Sequence, residues 1–196
     1  MKKERSLLSL TLLFLLIVSC NSNSLDVDIH KISVSTELIN VDEILTVKDE
    51  RSVKNNHEKL VDRLGYLYTY ELEMNLRAAL DSTVHLKIAQ FYTSEYMLEL
   101  EKEKTAILPK IEEKHKETDL AFRYLLYHFP ELTTPNKIVL MNKLFSGIKA
   151  NDSILTIAPE NYLNAELSVV KNLPGDMLYQ WQKDAMHVDY IPRDII

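Results

Sequence analysis

The side chains able to do chemistry in this chain of 196 residues are few, and their spacing does not bring them together. His57-Glu58 begins like HExxH, which holds zinc through two histidines one helical turn apart, but the place of the second histidine is taken by Val61. His57 is therefore expected to decorate the exposed start of a long helix. His187-Val188-Asp189 puts two ligand types on one side of a strand, and His128 with Glu131 flanks Pro130; neither pattern supplies a third ligand. Ser146 has half of a nucleophile elbow, since the glycine needed two positions earlier is Leu144. Acidic residues are plentiful enough for a carboxylate pair to assemble in space, which spacing alone does not reveal. No catalytic residue, metal ligand or cofactor site is expected, and the chain is read as non-enzymatic.

Composition narrows the classes further. One cysteine excludes internal disulfides and paired-cysteine redox or zinc motifs, and three glycines leave no glycine-rich phosphate loop. A net charge of -6 and a pI near 5.5 give no basic footprint for a phosphate backbone, so nucleic acid is not an expected partner.

The strongest local signal is the N-terminus. A net-positive start, Met1-Lys2-Lys3-Glu4-Arg5, precedes an apolar run from Leu7 to Val18. About 12 residues of helix span about 18 Å, short of the roughly 30 Å hydrocarbon core, so the run reads as a signal peptide over residues 1–19. It ends Leu16-Ile17-Val18-Ser19-Cys20, which resembles a bacterial lipobox, where the cysteine thiol takes diacylglycerol before cleavage. Cys20 is the expected lipid attachment site, followed by a short tether to residue 25 and one domain over 26–196. Without its basic leader the chain is more acidic still, so attachment to membrane rests on palmitate-type acyl chains and not on attraction to anionic lipid. The absence of Asp after Cys20 favours the outer membrane, and the absence of an acidic cluster there favours its periplasmic face.

The elements that would position these residues follow from periodicity. Val27 to Ser35 alternates apolar and polar residues and predicts a strand, with His30 on its solvated phase. Leu60, Leu64, Leu67, Tyr68, Leu72, Leu76 and Leu80 fall three or four apart and predict a helix over about 57–80. Further helices are expected over 84–90, over 94–108 until Pro109 interrupts, and over 111–129 until Pro130. The charged run Glu99 to Lys104 reads as a solvated helix face. Ile138-Val139-Leu140 and Ile154-Leu155-Thr156-Ile157 read as strands, paired as a hairpin within 137–158. Short helices are expected before Leu173 and from Asp176 to Trp181. Ten tyrosines read chiefly as core, with an aromatic partner surface as the alternative. The plan is α+β, mainly helical with a small β-sheet or hairpin.

Four stretches in order resemble the gliding-motility-associated lipoprotein GldB family. They are Leu25-Asp26-Val27-Asp28-Ile29 through Val34, Tyr124 through Pro135 with its His128-Phe129-Pro130 helix end, Leu155 through Leu163, and Tyr190-Ile191-Pro192-Arg193-Asp194. The third departs from the family's Leu-Gly-Ile-Gly-Leu-Asp-x-Tyr-Leu: its glycines are Thr156 and Ala158, and its Asp is Glu160. The resemblance implies a cell-envelope lipoprotein that holds or stabilises protein partners of a motility and secretion apparatus. It also implies a distant, zincin-like kinship and members about a hundred residues longer, so the C-terminal part of the family is expected to be absent here. A degenerate or partner-completed metallopeptidase-like protein and a small-ligand-binding lipoprotein are the alternatives.

Overall fold

The computed structural model describes residues 27–47, 49–173 and 178–196. The signal peptide, Cys20, the tether and the Asp176 helix cap lie outside the described residues. Residues 27–33 belong to an N-terminal unit, and Val34–Ile196 form a second, compact one.

The alternating stretch does not make the strand. Asp28 accepts a hydrogen bond from the His30 amide at 3.1 Å, and Ile32 N–H closes a turn on the Ile29 carbonyl. An Asx turn of this kind breaks an extended run, and a strand also needs a ladder partner. The ladder begins at Glu37, whose N–H donates to the Asn136 carbonyl at 2.9 Å, so β1 is Glu37–Asn40. Just before it, Thr36 donates to Asp119 Oδ1 at 2.6 Å and lies 2.6 Å from His115 Nε2, tying the start of the sheet to the longest helix.

After β1 come four helices: α1 (Val41–Leu45), α2 (Glu50–Leu76), α3 (Val84–Tyr92) and α4 (Glu95–His128). Asn40, Asp49 and Ser94 cap α1, α2 and α4 by accepting the amide hydrogens of Glu43, Ser52 and Met97. β2 (Lys137–Leu140), β3 (Lys149–Ala150) and β4 (Ile154–Ile157) complete a four-stranded sheet of order β1-β2-β4-β3. β1, β2 and β4 are mutually parallel, and only β3 runs antiparallel, against β4. The expected 137–158 hairpin is therefore a pair of parallel neighbours, and the true hairpin is β3–β4. Their sequences carry the reason: all four residues of β4 are buried, as befits a strand covered on both faces. Three short helices follow, α5 (Ser168–Lys171), α6 (Gln180–Asp184) and α7 (Ile191–Ile195).

Alternate residues serve two cores. Ile39, Val139 and Ile154 face Leu60, Leu64, Leu72 and Ile88 of α2 and α3, whereas Ile138, Leu140, Leu155 and Ile157 face Ile111 of α4 with Val188 and Ile191. The α+β plan and its small sheet stand.

Two helix boundaries differ from expectation. Pro109 lies inside α4, which runs on for 34 residues. Pro109 and Thr105, the residue whose carbonyl loses its partner, are both exposed, so water satisfies what the ring removes. Conversely α2 is broken at Gly65, where φ is 59° and ψ is -143°. His57 and Tyr68, three turns apart in a straight helix, have ring centroids 5.7 Å apart across this break, and His57 Nδ1 lies 2.9 Å from the Tyr68 hydroxyl. His57 is thus buried in the bend, not displayed at a helix start, and burial holds its imidazole below the ordinary histidine range. A Cβ at Gly65 would meet nothing within 4 Å, so the cost of Gly65→Ala is torsional alone. We expect Gly65→Ala to destabilise the protein by about 2 kcal/mol in denaturant titrations and to move the His57 ring away from the Tyr68 hydroxyl.

Candidate functional site

The carboxyl ends of the parallel strands are where open sheets of this kind hold ligands. In this chain that place is filled by its own charges. Asp42 follows β1, Asn142 and Lys143 follow β2, and Glu160 follows β4 in the 3-10 turn Pro159–Tyr162. Asp42 and Glu160 are 0% exposed, and Lys104, entering from α4, is 1% exposed.

Asp42 is the hub. Its Oδ1 accepts from the Tyr92 hydroxyl at 2.8 Å, its Oδ2 pairs with Lys104 Nζ, and both oxygens receive the Asn142 N–H, at 3.0 and 2.8 Å. Lys104 also pairs with Glu101 one turn back. Burial alone works against the Lys104 charge, but Asp42, Glu101 and Glu160 outweigh it and raise its pKa.

Glu160 anchors the loop after β2. Its Oε1 accepts the Lys143 N–H at 2.6 Å and the Phe145 N–H at 3.1 Å, while Leu144 N–H turns to Asn142 Oδ1 at 3.0 Å. Four successive amides, 142 to 145, thus point inward at side-chain oxygens, an anion nest occupied by internal carboxylates and one amide oxygen. Leu144 and Phe145 hold φ of 50° and 63°, the left-handed conformation that such a nest uses. Burial raises the Glu160 pKa, opposed by Lys104 and by the amide of Lys143. Tyr96 stands beside it, its hydroxyl pushed up to about 12 by burial and then by the Glu160 charge.

A second buried group adjoins the first. Lys143 Nζ lies 3.1 Å from Glu71 Oε1 and donates to Thr156 Oγ1 at 2.9 Å, and Lys149 Nζ reaches the same Glu71 oxygen at 3.3 Å. Asn75 donates to the Asn142 carbonyl. Burial draws Lys143 below the ordinary lysine range against the pull of Glu71. The family departures now have a place: Thr156 takes the Lys143 bond, Ala158 is extended (φ -91°) and needs no glycine, and Glu160 accepts the nest.

The arrangement can hold the carboxyl ends of β1, β2 and β4 to α2, α3 and α4. Carboxylate and ammonium groups of this kind also do acid–base chemistry elsewhere; here Asp42, Lys104, Glu71 and Lys143 are buried and ion-paired within the chain, and Glu160 is buried with Oε1 on two amides and Oε2 without a hydrogen-bond partner among the described residues. None of these residues was singled out by spacing. One signal was present: Lys104 falls in phase with Met97, Leu100 and Ile111, the buried stripe of α4, so it is not on the solvated face expected for the run 99–104.

The residues that were singled out are scattered. His128 and His187 are both exposed; His187 pairs with its neighbour Asp189 at 3.2 Å, and Asp189 reaches Lys114 at 3.3 Å. Ser146 donates its amide to the Lys143 carbonyl as part of the loop. Among the described residues no three His, Cys, Asp or Glu side chains gather as a metal site. The tyrosines divide: Tyr68 and Tyr92 are core, while Tyr66 is 78% exposed and lies 5.9 Å from Tyr70. Among the described residues no helix is long and apolar enough to cross a membrane.

The profile of a family described as "Gliding motility protein GldB" matches residues 22–196. The chain belongs to the GldB family. As a member it is a gliding-motility-associated lipoprotein of the cell envelope. No curated protein and no solved structure matches it. The expected zincin-like kinship finds no support: the place where strand ends would present a metal helix or ligand is closed by the Asp42–Lys104 pair and the Glu160 nest.

Proposed function

We propose that this GldB-family protein is a non-enzymatic docking body of the cell envelope, held by acyl chains on Cys20 at the periplasmic face of the outer membrane, that steadies partner proteins of the motility and secretion machinery. The observation that carries this reading is the family match over 22–196, taken with a chain whose one cysteine ends an apolar leader. Its buried charges fit this reading, since they tie the strand ends to the surrounding helices.

Deleting the reading frame is expected to abolish colony spreading, with recovery on return of the wild-type gene; unchanged spreading and secretion would overturn the reading. Cys20→Ser should move the protein from the membrane to the soluble fraction and remove acyl label. Label retained in that variant would contradict the anchor.

A further inference from the structure

We infer that the open edge of β1 is a peptide-docking groove that grips an extended segment of a partner protein, apolar on one face and basic on the other, by adding it as a fifth strand to the sheet. The proposal rests on the partner-holding reading above and says which surface does the holding.

Among the described residues β1 is an outer strand of the sheet, paired only with β2. Because Glu37 N–H donates to Asn136, the alternation of a parallel ladder turns the N–H and C=O of Leu38, and the N–H of Asn40, to the open side. Among the described residues these groups have no hydrogen-bond partner. The unpaired N–H and C=O groups of a strand edge are a template for pairing with another chain. Among the described residues this edge has no proline and no bulge, and it forms the floor of a groove of about 600 Å³. One wall is α4, through Leu108 and Glu112, and the other is α1 and α2, through Ile44, Asn56 and Arg63. Four added residues in a strand span about 13 Å, the length of β1 itself.

The walls choose the occupant. Leu38, Ile44, Val47 and Leu108 offer apolar contact to side chains of an added strand. Of the charges, Arg63 is already held by Glu37, whereas Glu43 and Glu112 are exposed and have no ion-pair partner among the described residues. The groove therefore presents net negative charge beside an apolar floor. An incoming strand alternating apolar residues with Lys or Arg turns its basic face to one wall, where Glu43 or Glu112 meets it, and its apolar face to the other, with main-chain bonds supplying affinity and the carboxylate supplying selection.

The test uses the full chain in detergent and fluorescein-labelled seven-residue peptides. One alternates Val and Lys, one alternates Val and Glu, and one is the Val/Lys sequence fully N-methylated, which keeps the charge but cannot pair. The Val/Lys peptide is expected to bind at least about tenfold more tightly than either of the others, and Glu43→Lys with Glu112→Lys should reverse the Val/Lys over Val/Glu preference. Both substitutions are on exposed side chains, and Glu43→Lys costs only a first-turn helix charge, so the melting temperature is expected to fall by no more than a few degrees. Equal binding of the N-methylated peptide, a preference untouched by the charge reversal, or no peptide binding would overturn the proposal. A chain that sediments as a dimer, becomes monomeric on Leu38→Pro and binds no peptide would assign the edge to a second copy instead. Failure of the peptides with gliding still lost in the deletion strain would remove the groove and leave the motility reading in place.

Discussion

Asp42→Ala is expected to cost about 3–5 kcal/mol, the effect of removing one member of a buried ion pair, and to leave little folded protein at 37 °C. The size follows from what remains behind. Lys104, 1% exposed, would lose its closest buried counter-charge and keep only Glu101 beside it and Glu160 at longer range, and the Asn142 N–H and Tyr92 hydroxyl would lose their acceptor in a dry interior. Lys104→Met separates the charge from the hydrogen bonds. If Asp42 and Lys104 act as a pair, Asp42→Ala with Lys104→Met should be less destabilised than the sum of the single variants by about 2 kcal/mol in urea titrations. The double variant should not return to wild type, since two buried donors stay unsatisfied. An Asp42→Ala protein within about 1 kcal/mol of wild type would mean that the strand ends are not held in this way.

Glu160→Ala is expected to be the next most damaging substitution, at about 2–4 kcal/mol, because it strips the shared acceptor from the amides of Lys143 and Phe145. Leu144 and Phe145 would then hold left-handed backbone without the carboxylate that repays it, so the loop should relax. Amide hydrogen exchange at 143 and 145 should accelerate well before global unfolding. Glu160→Gln keeps an oxygen for both amides and removes the titration. The folded pKa of Glu160 is raised above the unfolded value, so its contribution is full below about pH 4.5 and is lost as pH rises through the folded pKa. Wild type minus Glu160→Gln stability should therefore decline as pH rises from about 4.5 toward neutrality. A difference that grows with pH would mean that Lys104 and the amides of the nest favour the anion by more than burial disfavours it.

How much of this was legible in the chain follows the range of the forces involved. The stripe Leu60 to Leu76 and the runs Ile138–Leu140 and Ile154–Ile157 were readable because helix and strand periods are local. The parallel pairing of β2 with β4 was not, because two apolar runs divided by turn residues look alike whether they form a hairpin or neighbours in a mixed sheet. Pro109 misled because the cost of proline depends on which side of the helix faces water. Gly65 gave no sign of its bend, since the apolar spacing continues through it.

The charged core escaped for a different reason. Lys104, Asp42, Glu71, Lys143 and Glu160 are residue types that usually lie on surfaces; the first four are buried against an opposite charge far along the chain, and Glu160 against the amides of Lys143 and Phe145. Asp42 meets Asn142 across 100 residues. Only the phase of Lys104 in its helix and the position of Glu160 in a family segment hinted at them, and neither named the partner. The family itself was legible from ordered short segments, one of which, Leu155 through Leu163, carries Thr156 and Glu160 of the buried polar group.

The most direct test of the central claim is the gliding speed of single cells of a deletion strain carrying the wild-type gene or the Cys20→Ser variant at equal protein level. The account predicts gliding with the wild-type gene and none with Cys20→Ser, because the docking body acts from the membrane. Normal gliding with Cys20→Ser, or in the deletion strain itself, would contradict it.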